Sequence, residues 1–311
     1  MPFTEARFLE FESLQQVALQ WNLNFRLLSK NDLITRIALY TSEKFQLGRV
    51  SLNGKIDQHG LCPPGFRSIV VPVPGGSHFN WFNRLTNDHE MLIYPKDGTI
   101  DAVSYNHFDV YVFSIVEYYL LDCIEKLQYS ECLKRFVDGE FRLKSSEKFC
   151  RQFHNASQHF FSMIKGASPG FGSENYDRML DDVLNDVLKQ IDDSHNMIPG
   201  VFQRNRDVGL QKAVDIINHH LEEDYTISQL CNASGMSERT LQYAFRERYH
   251  VTPKDYVKAV KLHKVREELT LNKSQMISTI AAKYGFWHMG QFAADYKKWF
   301  GELPTQTKRK Y

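Results

Sequence analysis

Ile227-Ser-Gln-Leu-Cys-Asn-Ala-Ser-Gly235-Met and Ile277-Ser-Thr-Ile-Ala-Ala-Lys-Tyr-Gly285-Phe repeat one pattern at an offset of 50 residues. Each copy reads as an apolar-stripe helix in which a small residue, Cys231 or Ala281, stands four positions before a glycine. An apolar residue and a second helix follow. Downstream, Phe245-Arg-Glu-Arg-Tyr-His-Val-Thr-Pro253 falls over Tyr296-Lys-Lys-Trp-Phe-Gly-Glu-Leu-Pro304 at an offset of 51, aromatic on aromatic, base on base, proline on proline. The second copy therefore has one extra residue in its turn. The spacing has a mechanical cause: a small side chain lets two helices approach steeply, and glycine takes the positive φ of a tight turn. The repeat predicts two helix-turn-helix units.

One such pattern alone resembles any glycine-turned helical hairpin, whereas two copies in register joined by a helix are far more specific. The joining segment, Lys254 to Leu271, sets Val257, Leu262, Val265 and Leu269 along one side, with Lys258, Lys261, Lys264 and Arg266 largely elsewhere. Its 18 residues span roughly 27 Å as a helix, and successive major grooves on one face of B-DNA lie about 34 Å apart. Charge points the same way. Residues 209–311 hold 16 Lys and Arg against 11 Asp and Glu, or +5, leaving −4 for the rest of a chain whose net charge is +1. A mildly basic tail after a mildly acidic front suits a nucleic-acid partner. The competing reading is a helical bundle that packs its own turns and touches nothing.

The 311 residues, 42% hydrophobic and 24% charged, suffice for two domains and exclude collagen-like, disordered and coiled-coil chains. The start, MPFTEARFLEFESL, lacks a basic segment followed by an apolar one, and no apolar run is long enough to span a bilayer, so a cytoplasmic protein with no membrane partner is expected. Cys62, Cys123, Cys132, Cys150 and Cys231 show no CxxC spacing and suggest neither a disulfide framework nor a zinc site.

From Leu23 to Ser114 turn signals recur between β-rich runs: Asn53-Gly54, Pro74-Gly75-Gly76 and Lys96-Asp97-Gly98. They predict an antiparallel sandwich or small barrel. Helical periodicity then runs over 116–127, 145–164 and 174–193, and the aperiodic stretch 194–207 reads as a linker. The expected fold class is α+β: a β-rich domain over 1–115, a helical part over 116–195, a linker over 196–207 and an all-α domain over 208–311. In the helix from Glu174 to Asp193, Tyr176, Leu180, Val183, Leu184, Val187, Leu188 and Ile191 fall on one arc of about 120°. That stripe buries itself either against a partner or against the chain's own sheet.

The C-terminal residues resemble AraC/XylS-type bacterial transcriptional regulators. Thr226-Ile-Ser-Gln-Leu through Ser237-Glu-Arg-Thr-Leu-Gln-Tyr-Ala-Phe-Arg resembles the first helix-turn-helix of that family. Ile280-Ala-Ala-Lys-Tyr-Gly-Phe through Phe292-Ala-Ala-Asp-Tyr-Lys-Lys-Trp-Phe-Gly301-Glu-Leu-Pro304 resembles the second, and the wording of Gly285 to Tyr296 is similar to the ethanolamine-operon-regulator branch. Two departures stand out: His250 where the family usually has glycine, and Ala294 where many members present a long polar side chain. The resemblance implies double-stranded DNA as a partner, contact with RNA polymerase, no catalysis and no cofactor. It places the DNA-facing positions of the first unit at Ser237, Arg239, Gln242, Tyr243 and Arg246, and those of the second at Trp287, His288, Met289, Gln291, Lys297 and Lys298. Arginine on guanine and glutamine on adenine are the bidentate pairings the major groove permits.

The resemblance further implies a cupin-like sensor barrel at the front that binds a small-molecule effector, and a homodimer formed through the later helices, here Leu180, Val183, Val187 and Ile191. The aromatic set Phe66, Phe79, Trp81, Phe82 and Tyr94 is either the wall of that effector pocket, with Arg67 and His78 as polar anchors, or simply the core of the barrel. His59, His78, His89 and His107 are scattered without an HxH pair, so no metal site is expected, and no P-loop, GxSxG, HExxH or Rossmann pattern occurs. The reading from another class is an enzyme or small-molecule carrier whose helical tail binds protein rather than DNA.

Overall fold

The computed structural model describes residues 3–9, 11–20, 22–28, 34–75, 79–81, 84–105, 107–137, 141–166, 173–194, 197–199, 205–223 and 225–310. In chain order the strands are β1 (Phe3–Phe8), β2 (Leu23–Leu27), β3 (Thr35–Thr41), β4 (Phe45–Leu52), β5 (Ile56–Leu61), β6 (Phe66–Pro72), β7 (Phe79–Trp81), β8 (Arg84–Leu85), β9 (Glu90–Ile93), β10 (Thr99–Ser104), β11 (Phe108–Val116), β12 (Phe141–Lys144) and β13 (Met197–Pro199). The helices are α1 (Phe11–Gln20), α2 (Glu117–Lys126), α3 (Ser130–Val137), α4 (Glu147–Lys165), α5 (Ser173–Asp192), α6 (Asn205–His219), α7 (Ile227–Ser234), α8 (Glu238–Tyr249), α9 (Pro253–Leu271), α10 (Ile277–Lys283), α11 (Met289–Phe300) and α12 (Pro304–Lys310). The class is α+β, with β-rich sheets and helices first and helices alone after residue 205.

Two sheets form, one ordered β1-β3-β4-β11-β6-β9-β12-β13 and one ordered β2-β5-β10-β7-β8. Side chains alternate faces along a strand, and the register of the larger sheet turns that alternation into one apolar row. Phe3 stands opposite Tyr40, Tyr40 opposite Leu47, Leu47 opposite Phe113, Phe113 opposite Ile69 and Ile69 opposite Ile93. Tyr40, Leu47, Phe113, Ile69 and Ile93 are buried in one core with Leu120 and Ile124 of α2, Phe149 and Phe153 of α4, and the stripe of α5.

That core decides what the α5 stripe does. Leu180, Val187 and Ile191 are completely buried and Val183 nearly so, in contact with the sheet face within a single chain. The expected dimer surface is therefore corrected: these four residues are an internal packing face, unavailable to a second copy, because the apolar row of the sheet already covers them. Two boundaries also shift. The helical part contains β12, which pairs antiparallel with β9, and the segment read as a linker contains β13, paired with β12, and the start of α6. Three or four residues of strand are too short to leave a period in the sequence, so their neighbours in the sheet define them.

The chain divides into two compact units, one of Met1–Asn24, Leu33–Asn53 and Gln58–Phe202, the other of Phe25–Asp32, Gly54–Asp57 and Gln203–Tyr311. A single cut near residue 208 does not separate them, since two short pieces from the front belong with the C-terminal helices.

In the C-terminal unit the starts of α7, α8 and α9 have local causes. Thr226 and Gln229 form a capping box on α7, Ser237 caps α8 by accepting from the Thr240 amide, and Thr252 caps α9 with Pro253 in its first turn. Gly235 ends α7 at φ 68°, as the repeat requires, while His250 adopts the same left-handed backbone at φ 53° without glycine's freedom. Around α9 the sequence reading was incomplete: Lys261 and Arg266 are buried along with Leu262, Val265 and Leu269.

Because the α5 stripe is core, Leu180→Ala should cost about 2–5 kcal/mol of stability. Val183→Asp with Val187→Asp should abolish the cooperative urea transition of the first unit, followed by circular dichroism. Release of a folded, soluble monomer from a dimer would contradict the packing described here.

Candidate nucleic-acid interface

Helix α8 has two unlike sides. Leu241, Ala244, Phe245, Arg248 and Tyr249 are buried, which leaves Arg239, Tyr243 and Arg246 exposed along the other side, with Gln242 half-buried beside them. These positions are three and four apart and share one face. The Arg239 guanidinium lies 5.6 Å from the Tyr243 ring centroid, and Gln242 Nε2 donates to Glu238 Oε1 at 3.0 Å. Ser237 is occupied as the cap, with its Oγ 2.8 Å from Thr240 Oγ1.

Helix α11 is sparser. Phe292 and Tyr296 point into a core with Leu262, Val265, Leu269, Ile280, Ala281 and Tyr284, while Gly290, Gln291, Ala294, Lys297 and Lys298 are exposed. Trp287, just ahead of the helix, is 69% exposed, and His288 is the exposed N-cap residue with no side-chain capping bond. Met289 packs partly against that core, so it offers less to a partner than its neighbours. Lys258 of α9 pairs with Asp295 at 2.6 Å. Both α8 and α11 pack on α9, whose 19 residues measure about 28 Å.

Helix α9 holds polar groups inside, each with a partner. Lys261 Nζ donates to the Glu223 carbonyl at 2.9 Å, and Arg266 donates to Tyr296 Oη at 3.3 Å and to Glu302 Oε1 at 2.6 Å. Tyr256 Oη donates to Asp57 Oδ2 at 3.1 Å; burial and then the Asp57 charge push this phenol well up from its ordinary range. Burial, followed by the nearby Arg26 charge, pushes His263 down to about 3, so the ring is neutral at physiological pH.

The expected effector residues lie in the first unit. Phe79, Trp81 and Tyr94 are buried and Phe66 is half-buried. Trp81 packs edge-on against Tyr94 with centroids 5.4 Å apart, and Phe79 against Phe108 at 5.1 Å. Arg67 is buried and makes two bonds to Glu117, of 2.9 and 2.7 Å, with its guanidinium over Phe136, so its charge is already engaged. His78 lies outside the described residues. A cavity of about 460 Å³ opens elsewhere in the unit, among Arg36, Ser51, Asn53, His107 and Asp109. Among the described residues, no group of three or more His, Cys, Asp or Glu could hold a metal ion, and no helix is long and apolar enough to cross a membrane.

The neutral ring of His263 makes the C-terminal unit sensitive to acid. An unfolded histidine titrates near about pH 6.5, so between there and pH 3 the unfolded chain binds the extra proton. Stability should be full above that range and fall as the pH drops through it. Denaturant midpoints measured from pH 8 to pH 5 should decline for the parent and decline less for His263→Gln; equal slopes would show that this ring is not buried in its neutral form.

Comparison with known proteins agrees with the geometry. Residues 230–310 match a helix-turn-helix domain family. Over 99 residues the chain is 33% identical to the "Probable thc operon regulatory protein" of Rhodococcus erythropolis, covering 31% of this chain and 30% of that protein. Over 101 residues it is 35% identical to the "XylDLEGF operon transcriptional activator" of Pseudomonas putida, covering 32% of each. The chain thus spans about a third of the length of these curated relatives. Among solved structures, a probable AraC family transcriptional regulator from Rhodopseudomonas palustris CGA009 aligns with 33% of this chain and 95% of its own, at 26% identity and a TM-score of 0.31. With its two helix-turn-helix units and these relatives, the C-terminal third of the chain is a helix-turn-helix domain of the AraC/XylS type.

Proposed function

We propose that the chain is a sequence-specific, DNA-binding transcriptional regulator rather than an enzyme. In this reading α8 and α11 enter successive major grooves, and a small-molecule effector held by the N-terminal unit controls them. The observation that carries it is the pair of outward polar faces, one on each repeat, set on a shared helix of about 28 Å. Arg239 and Gln242 supply bidentate base contacts, and Arg246, Lys297 and Lys298 supply phosphate contacts. Trp287, His288 and Gln291 add apolar and polar contacts at the start of α11, where the small Gly290 and Ala294 leave room for close approach.

The cavity of about 460 Å³ supports the sensor role, since small-molecule sites commonly measure about 300–1,000 Å³. It is a better candidate than the wall of Phe79, Trp81 and Tyr94, whose rings are packed on one another and on Phe108. The Pseudomonas putida relative is named a transcriptional activator, which favours activation, and with it contact with RNA polymerase.

Genome-wide footprinting with and without candidate effectors tests the reading as a whole. On the sites found, Arg239→Ala or Gln242→Ala should cost about 1–3 kcal/mol and relax preference at one base pair, whereas Lys297→Ala should weaken all sequences alike and lower the salt slope by about one. Equal, sequence-blind losses for all three would remove α8 from the role of reading helix.

A further inference from the structure

We propose that Arg26, Leu27 and Asp57 are positioning residues for DNA reading: they clamp the two reading helices at a fixed separation. The inference rests on the reading of α8 and α11 as DNA-contacting helices. All three residues belong to the C-terminal compact unit, which includes Phe25–Asp32 and Gly54–Asp57.

One half of the clamp acts on α8. Arg26 Nη1 donates to Tyr256 Oη at 3.0 Å, Tyr256 Oη donates to Asp57 Oδ2 at 3.1 Å, and Arg26 faces the same carboxylate oxygen at 3.6 Å. Asp57 and Tyr256 are completely buried. The Tyr256 ring lies 5.3 Å from Phe245 and 4.5 Å from Tyr249, both on the inner face of α8. Lys55 Nζ adds a bond of 3.0 Å to the His250 carbonyl, at the left-handed residue that ends α8.

The other half acts on α11 through the next residue. The Leu27 carbonyl accepts from Trp299 Nε1 of α11 at 3.1 Å. His263 Nε2 of α9 lies 3.0 Å from the Leu27 amide and 3.1 Å from its carbonyl, and bonds to one or the other according to its tautomer. The His263 ring meets Phe300, the last residue of α11, with centroids 5.1 Å apart. Two adjacent residues thus hold one reading helix through Tyr256 and the other through Trp299. The two anchors stand on consecutive residues, so a displacement of this backbone segment is felt at both helices. Charge-assisted bonds such as those of Arg26 and Asp57 are directional and strong where water is excluded. Fixed separation is what two grooves demand, because a small rotation about α9 takes one helix out of register while the other remains seated.

The test uses the full-length protein. Duplexes of 40 base pairs selected from a random pool by the parent protein serve as probes, and the best of them is remade with two base pairs inserted between its two contacted segments. For the parent, the insertion should weaken binding by about tenfold or more, the range of a lost base contact. Trp299→Phe and Asp57→Asn should each bind the selected duplex about tenfold more weakly yet show an insertion penalty below about threefold, with unchanged affinity for random-sequence DNA. Trp299→Phe removes one N–H and retains an aromatic ring, so it remains informative where Asp57→Asn does not fold. Variants that melt like the parent and keep both its affinity and its insertion penalty overturn the clamp while leaving DNA reading intact. A parent protein that selects no duplex from the pool overturns the reading of α8 and α11, and the clamp with it.

Discussion

The C-terminal unit depends on one constraint: α9 must be buried over most of its circumference, although its sequence carries charge throughout. Each helix-turn-helix consists of helices of 7 to 12 residues, too short to be stable alone and too few to close a core. Both therefore borrow α9. Tyr256 serves the first repeat through Phe245 and Tyr249, and Leu262, Val265 and Leu269 serve the second. A buried charge is tolerable only when it is fully paired. Lys261 meets this with the Glu223 carbonyl, Arg266 with Tyr296 and Glu302, and His263 by remaining neutral.

The N-terminal unit packs chiefly through its larger sheet. That sheet lays one apolar row across six strands, and α2, α4 and α5 cover it. The unit's charged groups are handled in pairs, Arg67 with Glu117 and Arg142 with Glu90 where the arginine is buried, and Arg49 with Asp109 where both are partly exposed. The helices after the sheet are thus a lid for its hydrophobic face, which explains why they follow β11 directly, with α2 starting at the residue after that strand ends.

What the sequence made legible was local. The repeat and its turn glycines lie within a few residues of the structure they determine, and so does the face of α8 that carries Arg239 and Arg246, whereas the Thr226 to Gln229 capping box and the Ser237 cap emerged only from the structure. The period of α5 showed that its stripe must be buried, but periodicity does not say against what, and the sheet supplied the answer. Arg26 and Asp57 left no trace at all. Their partner Tyr256 lies 230 and 199 residues away, and each looks like an ordinary charged residue in a β-rich stretch. Lys261 and Arg266 misled for the same reason, since a helix packed on several sides shows no single apolar stripe.

The two repeats also differ in how firmly they begin. Ser237 fixes the first turn of α8 through bonds to the amide and hydroxyl of Thr240, so Arg239, within that turn, starts from a rigid base. The second repeat keeps the turn glycine but replaces the cap with His288, which makes no side-chain capping bond, and places the exposed Trp287 ahead of it. A contact made from a pre-ordered element loses less freedom on binding than one made from an element that must settle first. Order and chemistry therefore coincide: the helix with arginine and glutamine on its outward face is the one with the capped start. In the function proposed above, the helix that offers small residues and two terminal lysines, with the Trp287 indole ahead of it, is the one that needs less exact placement, because phosphate and apolar contacts tolerate more variation in geometry than bidentate base contacts do.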